Sequence, residues 1–289
     1  MIDGIIVKGI GGFYYVACDK GVAECRARGK FRKEGITPMV GDRVGITIVN
    51  ESPLQGALEE IFPRTNSLIR PPVANVDTVV IVIATVSPAP DYLMVDKLIA
   101  TAEKAGIEVV VAVNKTDIAS PDETASIYEK AGFPVVKTCA VQKIGISELK
   151  QKICGKVSAF AGNSGVGKSS LLNGLGFNLE VGQVSKIDRG KHTTRHVELL
   201  PLEGGGYVID TPGFSLLDVN HIKAEELKKY FREFAQYEVC SFADCAHYGV
   251  KAKNCGVVAA VEQGKIGKTR FESYVNIYSI LKNIKEWEK

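Results

Sequence analysis

Several apolar runs rich in β-branched residues end in polar motifs, and the order of those motifs restricts the fold more than any other feature. IEVVVAV (Ile107 to Val113) runs into NKTD (Asn114 to Asp117), VSAFA into GNSGVGKS (Gly162 to Ser169), and GYVID into DTPG (Asp210 to Gly213). An earlier run, VDTVVIVIAT, is separated from IEVVVAV by a helical stretch with Met94, Leu98, Ala102 and Ala105 on one stripe, closed by Gly106. Continuous apolar strands of this kind belong to parallel sheets covered on both faces. Strands alternating with helices, with polar residues at the carboxyl ends, predict a doubly wound α/β sheet whose ligand sits at that edge.

GNSGVGKS fits the phosphate-loop pattern GxxxxGK[ST]. Gly162, Gly165 and Gly167 let backbone N–H groups turn inward around phosphate oxygens, with Asn163, Ser164 and Val166 completing the loop. Lys168 is placed to reach the β and γ phosphates, and the Ser169 hydroxyl to ligate Mg²⁺, with Ser170 beside it. In NKTD the Asn114 amide meets the guanine edge, while the Asp117 carboxylate accepts from N1–H and the 2-amino group. Adenine lacks that donor pair, so Asp117 sets the preference. Lys115 lays its aliphatic stem along the base, with Thr116 completing the segment.

Asp210 is the candidate Mg²⁺ aspartate, and the Gly213 N–H is placed to sense the γ phosphate. GKHTTRH (Gly190 to His196) suits a switch loop in which Thr193 or Thr194 completes the Mg²⁺ shell when GTP is bound. Ordinary GTP-binding domains carry the phosphate loop first and NKxD near the end. Here Asn114 precedes Gly162 by 48 residues. The rotated order points to a circularly permuted GTPase.

Residues 1–67 read as short strands. Gly12 to Cys18 and Val22 to Arg28 flank the turn Asp19-Lys20-Gly21, and Val44, Ile46 and Ile48 alternate onto one face. This predicts a small barrel of the OB or SH3 type. RARGKFRK (Arg26 to Lys33) places five cations in eight residues around Phe31, an arrangement for RNA in which phosphates meet cations and a base stacks on the ring.

Beyond about residue 221 two helical stripes are expected, one with Leu227, Tyr230, Phe231 and Phe234, the other with Tyr274, Ile277, Tyr278, Leu281 and Ile284. Between them, Cys240, Cys245, His247 and Cys255 form C-x4-C-x-H-x7-C, a closed tetrahedral set for one structural Zn²⁺ that leaves no open catalytic position. Cys18, Cys25, Cys139 and Cys154 read as core thiols. Three domains are therefore expected: a barrel at 1–67, a permuted GTPase at 68–220 and a helical zinc module at 221–289.

The net charge, 36 basic minus 33 acidic residues, is only +3 and names no partner. The longest purely apolar run, Val79 to Ala84, is far short of the ~20 residues of a membrane span, and no signal peptide is expected. Seven sparse cysteines fit a reducing cytoplasm.

Together the motifs resemble the small-subunit-dependent GTPase A family, also called YjeQ/YloQ or RsgA. The likeness covers essentially the whole chain and rests on RPPVANVD (Arg70 to Asp77), NKTD, GNSGVGKS, GKHTTRH, DTPGF and the Cys-Cys-His-Cys set. It implies an OB barrel, a permuted GTPase domain using GTP/GDP and Mg²⁺, and a zinc module. It also implies a monomer that binds the 30S subunit and its 16S rRNA late in maturation, with hydrolysis stimulated by that particle and coupled to factor release.

The family's switch-loop histidine falls on His192, which would orient the attacking water, since Phe214 is apolar where Ras-type enzymes place a Gln. Catalysis would then rest on His192, Lys168 and Thr194. The family's SAK-like base-contact motif is replaced by Cys139-Ala140-Val141, whose backbone N–H groups are expected to meet guanine O6 with slightly weaker affinity. The competing reading is a nucleotide-gated RNA-binding scaffold with incidental hydrolysis; an ATP-using remodelling enzyme is disfavoured by Asp117.

Overall fold

The computed structural model describes residues 1–69, 71–179, 197–210 and 219–284, with Ile69 and Asp210 described by backbone alone. The described residues fall into two compact units. The first holds Met1–Thr78, Ile153–Phe160 and the described part of Ser185–Phe214; the second holds Val79–Lys152 and the described parts of Ala161–Val184 and Ser215–Lys289.

In the first unit five strands close on themselves: β1 (Ile2–Ile10), β2 (Phe13–Cys18), β3 (Gly21–Ala27), β4 (Arg43–Glu51) and β5 (Leu54–Ile61). Pairing runs β1–β2–β3–β5–β4 and back to β1, with β3 and β5 parallel and the other pairs antiparallel. This is the OB-type barrel expected from the alternating strands. Its interior is filled by Ile6, Val16, Cys25, Val44, Ile46 and Leu58, all fully buried.

A short helix, α1 (Gly29–Lys33), follows β3 where a basic loop was expected. Phe31 on it is only 4% exposed. The buried ring is therefore not free to stack on a base, a correction that follows from the ~2–3 kcal/mol gained by burying an aromatic side chain. Arg26, Arg28, Lys30, Arg32 and Lys33 remain at the surface. A short hairpin, β6 (Ser67–Ile69) and β7 (Pro72–Ala74), forms the barrel's exit.

The same unit contains β11 (Val157–Ala161), β12 (Glu198–Pro201) and β13 (Tyr207–Asp210). β13 runs parallel to β11 and antiparallel to β12. β12 in turn meets β1 at Lys8 and Glu198, whose side chains pair at 2.9 Å.

In the second unit β8 (Thr78–Ala84), β9 (Glu108–Asn114) and β10 (Val135–Lys137) lie side by side in the order β10–β9–β8. All seven residues of β8 are buried, as its unbroken apolar run requires. Helices α2 (Tyr92–Lys104), α3 (Asp122–Lys130), α4 (Ile146–Ile153) and α5 (Lys168–Gly174) alternate with the strands. Asp91 caps α2 by accepting from the Met94 N–H at 3.0 Å, and Gly106, at φ +68°, lets the chain leave it.

The C-terminal part of this unit is helical: α6 (Gly256–Glu262), α7 (Lys268–Asn283) and, among the described residues, four 3-10 helices, the longer two at Ala224–Tyr230 and Arg232–Tyr237. The single stripe expected through Phe234 is broken at Phe231, which sits at φ −112°, ψ 77°. The break lets Phe231 and Phe234 both turn inward onto Tyr274, with ring centroids 5.2 and 5.0 Å away in edge-on geometry.

Candidate nucleotide site and metal centre

Asn114, at the carboxyl end of β9, is 2% exposed and spends its side-chain amide on three residues of two other segments. Its Nδ2 donates to the Val166 carbonyl at 2.9 Å, and its Oδ1 accepts from Thr138 Oγ1 at 3.1 Å and the Ala140 N–H at 3.3 Å. The NKTD tetrad and the GNSGVGKS loop are thereby pinned together within one unit. An amide has two N–H donors and an oxygen with two lone pairs. The oxygen is used up, and one N–H remains to meet a base. The Ala140 N–H, the donor expected for guanine O6, here donates to Asn114.

The phosphate loop can hold this shape only with glycines. Gly162, Gly165 and Gly167 have φ of +138°, +81° and +99°. A Cβ on Gly162 would collide with the Val82 carbonyl oxygen, and one on Gly167 with Asn114 Nδ2. Ser164 and Gly165 form the exposed tip, while Val166 is buried beneath it. Lys168 Nζ donates to the carbonyls of Gly162 at 2.7 Å and Asn163 at 2.8 Å, bending its ammonium back over the loop. Burial holds the Lys168 pKa below its ordinary value. A phosphate in the loop would replace those carbonyl partners with full negative charge. Ser169 and Ser170, half-buried, occupy the first turn of α5.

On the base side the chain turns at Lys115, whose φ is +66°. Thr85 Oγ1 donates to the Lys115 carbonyl at 2.9 Å, and Lys115 Nζ reaches the Ser87 carbonyl. The Thr116 N–H donates to the Thr138 carbonyl at 3.3 Å. Asp117 is exposed, and the buried Cys139 thiol donates to its Oδ1 at 3.1 Å. Cys139 is thus a partner of the Asp117 carboxylate as well as a core thiol. Cys25 is a core thiol outright, but Cys18 is half-buried and Cys154 exposed, its Sγ donating to the Gly204 carbonyl at 3.0 Å. Those two depart from the core assignment.

His192, Thr193, Thr194, Gly213 and Phe214 lie outside the described residues, and Asp210 is described only as the last residue of β13.

Cys240, Cys245, His247 and Cys255 converge, with one ligand atom from each within 4.8 Å of the others. A tetrahedral zinc with arms of about 2.3 Å to sulfur and about 2.0 Å to nitrogen has edges of about 3.8 Å between sulfurs and about 3.6 Å between sulfur and nitrogen. Cys240 and Cys255 Sγ are 3.7 Å apart, and His247 Nδ1 lies 3.6 Å from Cys240 Sγ and 3.3 Å from Cys255 Sγ. The donor set fits that ion. Burial, with the neighbouring thiols, pushes the Cys255 thiol up to about 12, so a metal must displace its proton. Burial also holds the His247 imidazole below its ordinary value, against the opposing pull of Glu238.

Residues 61–220 match the RsgA GTPase family and residues 3–53 the RsgA N-terminal domain. The chain belongs to the RsgA GTPase family. It is 48% identical over its whole length to the small ribosomal subunit biogenesis GTPase RsgA of Caldanaerobacter subterraneus, covering 97% of that protein. It is 45% identical to the protein of the same name from Ruminiclostridium cellulolyticum, with 99% of this chain and 95% of the relative covered. The crystal structure of YjeQ from Thermotoga maritima superposes with a TM-score of 0.84 at 38% identity, over 98% of this chain and 99% of that one. That of YloQ, a circularly permuted GTPase, gives 0.81 at 35%, over 99% and 96%. As a member of the RsgA family the chain is a GTPase, and that family membership implies GTP or GDP and Mg²⁺ as its ligands.

Sequence reasoning missed the charged core of this RsgA chain. Arg270, on α7, is fully buried and donates from Nη1 to Asp96 Oδ1 on α2 at 2.6 Å, and from Nε and Nη2 to Glu233 at 2.8 and 3.2 Å. Its guanidinium also lies 4.4 Å from the Phe231 ring centroid. The signal was present: Arg270 stands four and seven positions before Tyr274 and Ile277, on the apolar stripe itself.

Proposed function

We propose that the chain hydrolyses GTP under the control of the small ribosomal subunit and acts as a late checkpoint in 30S assembly, releasing itself or another factor on hydrolysis. The Asn114-centred union of phosphate loop and base tetrad supports this most directly, in a chain aligned end to end with relatives named for small-subunit biogenesis.

In this reading Asn114 and Asp117 orient guanine and Lys115 covers its face. Gly162 to Ser170 hold the phosphates, and Lys168 stabilises charge that develops on them. Ser169, Asp210 and Thr194 or Thr193 would hold Mg²⁺, which would supply neutralisation of phosphate charge. Gly213 follows the γ phosphate and His192 orients the water. Cys240, Cys245, His247 and Cys255 hold one structural Zn²⁺. The exposed cations Arg26, Arg28, Lys30, Arg32 and Lys33 meet 16S rRNA phosphates. The functional modules are 1–67, 68–220 and 221–289, working as a monomer in the cytoplasm. Among the described residues no helix is long and apolar enough to cross a membrane.

Multiple-turnover GTPase assays with and without 30S subunits, paired with cosedimentation in GDP, GTP and a non-hydrolysable analogue, test the reading. Stimulated turnover and binding that follows the nucleotide are expected. Turnover unchanged by the particle points instead to a binding scaffold with incidental hydrolysis.

A further inference from the structure

The four metal ligands do not explain why the imidazole presents Nδ1 to the three thiols. His247 is 1% exposed, and its backbone, at φ +55°, turns the ring inward. Its outer nitrogen, Nε2, lies 3.4 Å from Glu238 Oε1. Glu238 is itself flanked by Lys228, whose Nζ stands 3.7 Å from the same oxygen and donates to the Cys245 carbonyl at 3.3 Å. Lys228 therefore touches the backbone of one ligand and the carboxylate that faces another. Tyr274 OH donates to the Ala246 carbonyl at 2.5 Å, and the Phe234 ring packs edge-on against the imidazole at 5.8 Å. Turning the ring would lose the Glu238 contact and the edge-on packing on Phe234.

A neutral imidazole carries its proton on one nitrogen only, and a metal requires the other. A carboxylate at Nε2 selects the tautomer with the proton there, leaving the Nδ1 lone pair pointing at the thiols. It also makes the ligand more basic. We propose that Glu238 is the positioning residue of this metal centre: it holds the His247 N–H on Nε2 and so prepares Nδ1 for the ion, with Lys228 fixing the carboxylate in place. The inference rests on the zinc reading above, and it adds to the four-residue motif a fifth residue that spacing alone does not reveal.

The test uses the full-length chain with GDP bound. Zinc affinity is measured by competition with a chromophoric chelator in wild type, Glu238→Ala, Glu238→Gln and Cys240→Ser. Ring-nitrogen NMR shifts of His247 are recorded for the zinc-loaded forms. Glu238→Ala should bind one equivalent of zinc about 10–100-fold more weakly, with GDP affinity unchanged. Glu238→Gln, which can still accept the N–H through its amide oxygen, should lose less and keep the Nε2–H signature. Wild-type zinc affinity in Glu238→Ala, or a proton on Nδ1 in the metal-free wild type, would overturn the assignment. A wild type that takes up no more zinc than Cys240→Ser would instead remove the metal reading, and this inference with it.

Discussion

Replacing Arg270 by Met keeps an aliphatic stem but deletes the guanidinium that lies over the Phe231 and Phe133 rings and carries the charge between Asp96 and Glu233. Both carboxylates are buried, Asp96 fully, so neither recovers a water shell when its partner goes. Breaking one member out of a buried ionic cluster costs about 3–5 kcal/mol, because the remaining charge is uncompensated. For a unit of about 150–250 residues each kcal/mol moves the midpoint by about 2–4 °C, so a fall of about 6–20 °C in Tm is expected.

The pH dependence supplies a second check. Burial already raises the Asp96 pKa against the opposing pull of Arg270. In the variant that pull is gone. A carboxyl group whose folded pKa lies above its unfolded value costs nothing once both states are protonated, and costs most above the folded pKa. The deficit should therefore be largest near pH 8 and shrink as pH falls toward 5. Denaturant unfolding of wild type and Arg270→Met at both pH values measures it. Lys268→Ala serves as control, since Lys268 forms a 3.7 Å surface pair with Glu272 at 82% side-chain exposure and should change stability by less than about 0.5 kcal/mol. A loss below about 1 kcal/mol in Arg270→Met, or equal losses at the two pH values, would refute the reasoning.

Gly167→Ala should weaken GDP binding about 10–100-fold in a fluorescent-nucleotide titration, because the new methyl displaces Asn114 from the Val166 carbonyl and strands buried polar groups. Unchanged affinity would mean that Asn114 is not the hub. Asp117→Asn replaces an acceptor by an amide, so GTP affinity should drop by at least about 100-fold while a nucleotide bearing a 2-oxo group gains; competition binding with GTP and XTP reads both. Zinc uptake should release about three protons near neutral pH, one from each thiol, consistent with the Cys255 thiol lying up near about 12 in the metal-free centre. Calorimetry in buffers of different ionisation enthalpy counts them, and release of fewer than two would argue against three thiolate ligands. His192→Ala should keep GTP affinity but lose particle-stimulated turnover, and retained stimulation would remove His192 from the mechanism.

Much of the nucleotide site was legible because its residues are local and chemically narrow. A phosphate loop must be glycine-rich where the backbone turns left-handed, and Gly162, Gly165 and Gly167 all have positive φ. Asn114 to Asp117 follow a strand whose unbroken apolar run marks it as buried. The thiol and imidazole ligands share one short segment, so their spacing already signalled a metal. The barrel was visible as alternation, although its closure through the β1–β4 pairing was not.

What misled was exposure. Phe31 among five cations looks like a base-stacking ring, yet whether a ring faces solvent depends on what packs around it, and here the ring is buried. Cys154, read as buried, lies at the surface, since a lone thiol in a sequence carries no periodic signal of the face it occupies.

From the order of its motifs alone the chain is committed to a permuted nucleotide fold, because each motif needs only a strand end and a few neighbouring residues to work. Tertiary structure alone decided which distant groups meet. Asn114 finds Val166, Arg270 finds Asp96 across 174 positions, and Glu238 reaches the outer edge of His247. Such pairs are selected by shared burial and complementary charge in three dimensions. Periodicity records which face a residue occupies, but not which partner waits there.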